Sequence, residues 1–162
     1  MYTWSIPIVS KNKFEIIENG YYKINLDGIT HLVVSEKESE KYLKQGDIKT
    51  IGFNLIKKYN VTENLANGVM FMQRDNNKIK IHPVVWVKSI DTLFYETACG
   101  SGSIAVGIAI SAISKTNSDL SLLQPSGKYI DVKSICLKAG YKVSISGTVT
   151  KSPELKKIVI GG

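Results

Sequence analysis

The run from Ile104 to Ile113, Ile-Ala-Val-Gly-Ile-Ala-Ile-Ser-Ala-Ile, carries no charged side chain. At helical spacing it has no polar face, so a helix there must be covered on every side. Strand-like pieces make up most of the remaining chain. A buried helix among strands belongs inside a curved sheet. The expected fold is therefore α+β: a strongly curved, mostly antiparallel sheet or barrel around one central apolar helix near residues 101–114.

Ahead of the helix, β-rich pieces are expected at Tyr2 to Val9, Phe14 to Ile17, Tyr21 to Leu26 and His31 to Val34, the last after the Asp27-Gly28 turn signal. Ser35-Glu-Lys-Glu38 has the form of a capping box and opens a short surface helix that ends at Gly46. Asp47 caps a second helix, in which Ile48, Ile51, Leu55 and Ile56 recur near helical spacing before Asn60. Gly68 to Gln73 and Lys78 to Ile81 read as a hairpin across Asp75-Asn76-Asn77, with further strands at Val84 to Val87 and Thr92 to Tyr95. After the apolar helix, strands are expected at Leu120 to Gln124, Tyr129 to Lys133, Tyr141 to Ser146 and Lys156 to Ile160. Turns are marked by Pro125-Ser126-Gly127 and Gly147.

Its 162 residues, 43% of them hydrophobic, suffice for one domain, 1–162, with a core that needs neither disulfides nor a structural metal. No stretch has the ~18 consecutive apolar residues of a membrane span. Met1 to Pro7 lacks the charged and apolar regions of a secretory signal, so a soluble cytoplasmic protein without a membrane partner is expected. Cys99 and Cys136 stand apart from the histidines and give neither a disulfide framework nor metal-ligand spacing. The net charge of +7 comes almost wholly from lysine, Arg74 being the only arginine. Lysines such as Lys41, Lys44, Lys57, Lys58 and Lys78 are scattered instead of gathered in a stripe with aromatics, which argues against a nucleic-acid partner.

The apolar helix is preceded by Cys99-Gly-Ser-Gly102. A thiol at that point sits at the positive end of the helix dipole, beside backbone N–H groups with no intrahelical partner, and both effects favour thiolate. Gly100 and Gly102, without Cβ atoms, let the backbone approach a ligand closely, and the N–H groups of Gly100, Ser101 and Gly102 are candidates to hold a carboxylate. A carboxylate held there brings the Cα of an amino acid near the sulfur, the geometry of α-proton exchange. The same features equally fit a small buried cysteine at a tight helix start.

The segment Glu96-Thr-Ala-Cys-Gly-Ser-Gly-Ser103 resembles the second cysteine motif of the diaminopimelate epimerase family, cofactor-independent racemases and epimerases. It looks most like the histidine racemase branch linked to opine metallophore synthesis. Gln124-Pro-Ser-Gly127, Ile130-Asp-Val132 and the run from Gly140 to Val149 are similar to the family's closing strands, so the resemblance is to the C-terminal half. It implies Cys99 as the catalytic acid/base, with His31, Glu96, Gly100, Ser101 and Gly102 around the substrate, no cofactor and no metal. Thr30-His-Leu-Val33 stands where the family has Asn-Pro-His, so the histidine is kept and the asparagine is not. The Glu-Arg-Gly segment that grips a distal carboxylate has no counterpart before Cys99, which favours a histidine-like substrate over diaminopimelate.

Inversion at Cα needs an acid and a base on opposite faces, and the resemblance covers only one cysteine half. A complementary N-terminal half domain, or a homodimer opposing two Cys99 thiols, is the partner it implies. The alternative is a non-catalytic amino-acid-binding or partner-interaction domain that keeps the fold. A third reading, a carboxylate-based isomerase relying on Glu96, is disfavoured by the presence of Cys99. His82, ahead of Pro83, and Cys136, with no glycine-rich helix after it, read as structural residues.

Overall fold

The computed structural model describes residues 2–147. The strand expected at 156–160 lies outside the described residues. The strands are β1 (Tyr2–Ser5), β2 (Val9–Ser10), β3 (Phe14–Glu18), β4 (Tyr21–Leu26), β5 (Ile29–Val34), β6 (Ala66–Asp75), β7 (Lys78–Val87), β8 (Thr92–Tyr95), β9 (Ser118–Leu123), β10 (Tyr129–Cys136) and β11 (Gly140–Gly147). The helices are α1 (Glu36–Leu43), α2 (Ile48–Lys58) and α3 (Gly100–Ser114).

All eleven strands join one sheet, ordered β1-β11-β10-β9-β7-β6-β5-β4-β3, with β2 beside β11 and β8 beside β7. Pairing is antiparallel except for β5 with β6 and β7 with β9. Those two parallel pairs are where the chain must cross over, and the crossovers carry the helices: α1 and α2 between β5 and β6, α3 between β7 and β9. The α+β class holds. Among the described residues no closed barrel is formed, because the hydrogen-bonded path ends at β1 and β3. An apolar run dictates that a helix is covered but not that the last strand returns to the first. Cover for α3 comes from contacts with β3, β4, β5 and β6 on one side of the strand order and β9, β10 and β11 on the other.

Alternation along β5 and β6 assigns side chains to two cores. Ile29 and Val33 join the cluster around α3, while Leu32 and Val34 join the cluster under α1 and α2. On β6, Met70 and Met72 go with α3, and Val69 and Phe71 with the other helices. Both faces being covered, every residue of β5 is buried. By the same alternation His31 and Gly68, register partners in the parallel pair, face α3.

Local signals act as expected where they are short-range. Ser35 caps α1, its hydroxyl accepting from the Glu38 N–H at 3.3 Å, and Asp47 caps α2 by accepting from the Thr50 N–H at 3.2 Å. The hairpin turn is Asn76-Asn77, with Asn76 at φ 55°. Two boundaries differ. The first expected strand is split into β1 and β2, and β7 runs unbroken through Pro83. Pro83 is tolerated because β7 pairs with β9 at Ile79 and Lys80 and with β8 from Val84 to Val87, so on that edge the position lacking an N–H falls between the two ladders. Among the described residues no helix is long and apolar enough to cross a membrane.

Candidate active site

Strand β8 ends at Tyr95, and Glu96 to Ala98 lead directly into α3, whose N-cap is Cys99. Of the helix's 15 residues, 11 are buried, including its whole first turn. The cap is made by sulfur: the Gly102 N–H donates to Cys99 Sγ at 3.3 Å. The Ser103 N–H and hydroxyl both reach the Cys99 carbonyl, at 3.0 and 2.7 Å. A Cβ at Gly102 would collide with the Met70 sulfur, so glycine lets the helix start lie against β6 without displacing the Met70 side chain.

Ser101 turns its hydroxyl toward two groups. His31 Nε2 lies 2.8 Å from Ser101 Oγ, and Cys99 Sγ lies 3.7 Å from it. The other ring nitrogen, His31 Nδ1, has no hydrogen-bond partner. It faces the backbone of Gly68, where a Cβ would overlap the ring. His31 is 0% exposed, and burial pushes its pKa down to about 3, so the imidazole is neutral throughout the physiological range.

Gln124, at the end of β9, fixes the other side of the cap. Its Oε1 accepts the Cys99 N–H at 3.0 Å, and its Nε2 donates to Ser103 Oγ at 3.2 Å and to the Leu122 carbonyl at 3.1 Å. In the sequence Gln124 stands out as a strand end and as part of the segment similar to the family's closing strands, with no sign of its contact to Cys99. Its role depends on a contact with a residue 25 positions away, for which the local sequence carries no signal.

The thiol's electrostatics reverse one expectation. Cys99 is 1% exposed, and burial, reinforced by the charge of Glu96, holds its pKa well above the ordinary thiol value. The Gly102 N–H and the Ser101 hydroxyl act in the direction expected of a helix start, lowering it, but desolvation outweighs them. Burial also raises the Glu96 carboxyl, whose Oε2 has no hydrogen-bond partner.

A cleft of about 410 Å³ opens beside the helix start. Gly100, Ser101 and Ile104 form one wall; Trp4 to Ser10, Lys13, Ile145 and the β4–β5 turn from Asn25 to Ile29 supply the rest. No hydrogen-bond acceptor meets the Gly100 or Ser101 N–H among the described residues. Cys99 itself lies behind that wall. Thus Gly100 and Ser101 border the cleft, Gly102 holds the sulfur, Glu96 stands beside the thiol, and His31 reaches Cys99 only through Ser101.

The two residues read as structural have structural surroundings. His82 lies in β7, its Nδ1 2.7 Å from the Tyr95 hydroxyl and its Nε2 2.7 Å from Gln73 Oε1. Cys136 Sγ points at the Thr116 carbonyl, 3.3 Å away. Among the described residues no cluster of three His, Cys, Asp or Glu side chains could hold a metal ion.

A cysteine thus caps a glycine-rich helix start beside a cleft. Comparison with known proteins gives the family: residues 6–154 match the histidine racemase CntK N-terminal domain, and the chain belongs to that family. It is 31% identical over 120 residues to a histidine racemase of Fusobacterium nucleatum subsp. nucleatum, covering 74% of this chain and 43% of that protein. A histidine racemase from a second strain of the same subspecies is 34% identical over 110 residues, covering 65% and 38%. One from Staphylococcus aureus strain Mu50 is 29% identical over 84 residues, covering 51% and 30%. The chain thus spans about two fifths of the length of the Fusobacterium relatives it matches.

The match is to an N-terminal domain, whereas the cysteine motif was read above as that of a C-terminal half.

Proposed function

We propose that this chain provides one face of a cofactor-independent amino-acid racemase site, with Cys99 as the group that exchanges a proton with the substrate Cα. The observation that carries the reading is the helix start: a sulfur held by the Gly102 N–H, one residue behind a cleft bordered by the partnerless N–H groups of Gly100 and Ser101. Those N–H groups suit an α-carboxylate, and Lys13 adds positive charge to the same cleft.

The chemistry in this reading is simple to balance. As base, the Cys99 thiolate takes the α-proton; an S–H bond forms and the C–H electron pair stays on the substrate, delocalised into the carboxylate. An acid on the opposite face then protonates Cα. As acid, Cys99 gives its proton to Cα from its own side. Before acting as base the thiol must lose its proton, and the partnerless Glu96 oxygen is the acceptor at hand. Cys99 is 1% exposed, so a substrate reaches its sulfur only after the site rearranges.

The opposite group comes from a complementary domain, in keeping with relatives more than twice the matched length, or from a second copy of this chain. A histidine-like amino acid is the favoured substrate, by kinship with proteins named histidine racemases. The cytoplasm is the fitting compartment. One feature favours a second reading, an amino-acid-binding or partner-interaction domain without catalysis: burial raises the Cys99 thiol, which opposes its use as a base.

Incorporation of deuterium at Cα from deuterated water, followed by mass spectrometry over L- and D-amino acids including histidine and diaminopimelate, separates the two. Exchange by the wild type that disappears in Cys99→Ser supports the racemase reading. Binding of an amino acid without exchange, with and without a candidate complementary domain, would replace it with the second.

A further inference from the structure

Ser101 offers one hydroxyl to two buried groups, and the choice of donor is decided by the far side of the His31 ring. A neutral imidazole carries its proton on one nitrogen. On Nδ1 the proton would face the Gly68 backbone with no acceptor, a buried N–H without a partner. On Nε2 it is donated to Ser101 Oγ at 2.8 Å. With its oxygen accepting from His31, Ser101 has its own O–H free to point at Cys99 Sγ, its other neighbour.

We propose that His31 and Ser101 form a directed hydrogen-bond chain, His31 Nε2–H to Ser101 Oγ–H to Cys99 Sγ, that stabilises the sulfur as thiolate. The chain makes both residues positioning residues for Cys99, and it rests on the reading of Cys99 as the proton-exchanging group. No proton leaves His31 or Ser101 at any point. When Cys99 loses its proton, the Ser101 O–H donates to a full negative charge instead of a thiol, and the Gly102 N–H does the same from the helix side. The imidazole stays neutral in both states, in agreement with its burial.

Electrostatically the sulfur is thus placed between opposing influences. Glu96 is the charged group beside it and opposes ionisation; Ser101 and the Gly102 N–H favour it; Gln124 holds the backbone N–H and does not touch the sulfur. Gly68 has a part in this arrangement: any side chain there would displace the ring from Ser101. The substitution Gly68→Ala is therefore expected to act on Cys99 through three successive contacts, by way of His31 and Ser101.

Two measurements test the proposal. The first is the imidazole ¹⁵N spectrum of the intact wild-type protein near pH 7, with His31→Gln used to assign the signals. The expected result is a protonated Nε2 and a bare Nδ1; the reverse tautomer, or a charged ring, overturns the proposal. The second is the pH profile of Cys99 alkylation by a small iodoacetamide-type reagent, read by mass spectrometry relative to Cys136 in the same molecule. Ser101→Ala should slow Cys99 about tenfold at a pH below its midpoint, the size of one hydrogen bond to a charged group. Ser101→Ala reacting as fast as wild type overturns it. If neither protein exchanges an α-proton yet both results hold, the racemase reading fails and the hydrogen-bond chain stands.

Discussion

The side chain of Gln124 accepts the backbone N–H of Cys99 at 3.0 Å, tying the end of β9 to the start of α3. Both groups are buried, and the same amide also donates to Ser103, whose hydroxyl caps the Cys99 carbonyl. The orientation of the thiol therefore depends on a residue with no chemistry of its own.

Gln124→Leu removes the acceptor and leaves the Cys99 N–H buried without a partner. The expected loss of stability is about 2 kcal/mol, the typical cost of an orphaned buried donor. Urea unfolding checks it: the midpoint should fall with the slope unchanged. An unchanged midpoint would mean that water or a shifted backbone satisfies the N–H.

Gly102→Ala tests whether the first turn of α3 is closed against β6. On helix propensity alone the change would stabilise by about 1 kcal/mol. Here the added Cβ runs into the Met70 sulfur and stands 3.0 Å from Cys99 Sγ. Net destabilisation of about 1–3 kcal/mol is expected, as for overpacked cores. Introducing Met70→Ala together with Gly102→Ala should recover part of the loss; strict additivity of the two changes would show that they do not meet.

What the sequence revealed follows the range of the physics. The caps at Ser35 and Asp47, the Asn76 turn and the helix that starts at Gly100 are set by residues within one turn of each other, and all were legible. Cys99 stood out because a cap and a glycine-rich turn are local. The chain His31–Ser101–Cys99 was only partly legible, since it joins residues 70 positions apart through two different elements. Gln124, Gly68 and Met70 were missed for the same reason. Of the sheet or barrel expected, the described residues form a sheet, and its edges were not legible because alternation shows which face a residue takes, not which strand lies at an edge. The helix dipole was read correctly and weighed wrongly: no sequence pattern shows how far a sulfur is removed from water.

Acid should destabilise the protein through its histidines. Burial holds His31 at about 3 and, with the charge of Lys80, His82 at about 4. Between those values and an unfolded value of ~6.5, the unfolded chain binds protons that the folded chain refuses, so stability is full above that value and declines as pH falls below it. For His31 the loss at pH 5 is about 2 kcal/mol, fixed almost wholly by the unfolded value. Glu96, raised by burial, opposes this, because the folded state binds its proton more readily. Unfolding midpoints at pH 7 and pH 5 should differ in wild type and differ less in His31→Gln. An equal difference in the two proteins would place the acid sensitivity elsewhere.

Glu96→Gln separates the reactivity of the thiol from its use. The carboxylate's charge raises the thiol, so the neutral amide should lower its pKa and make Cys99 alkylate faster at a given pH. If Glu96 also takes the thiol proton before each turnover, the same substitution should slow α-proton exchange by about 10²-fold, the ordinary contribution of a positioned base. Faster alkylation with slower exchange is thus the expected pair of results. Faster alkylation with faster exchange would mean that Glu96 only opposes ionisation and that the proton leaves by another route. Slower alkylation would show that the carboxylate does not raise the thiol at all, and would remove the electrostatic basis for the role given to it here.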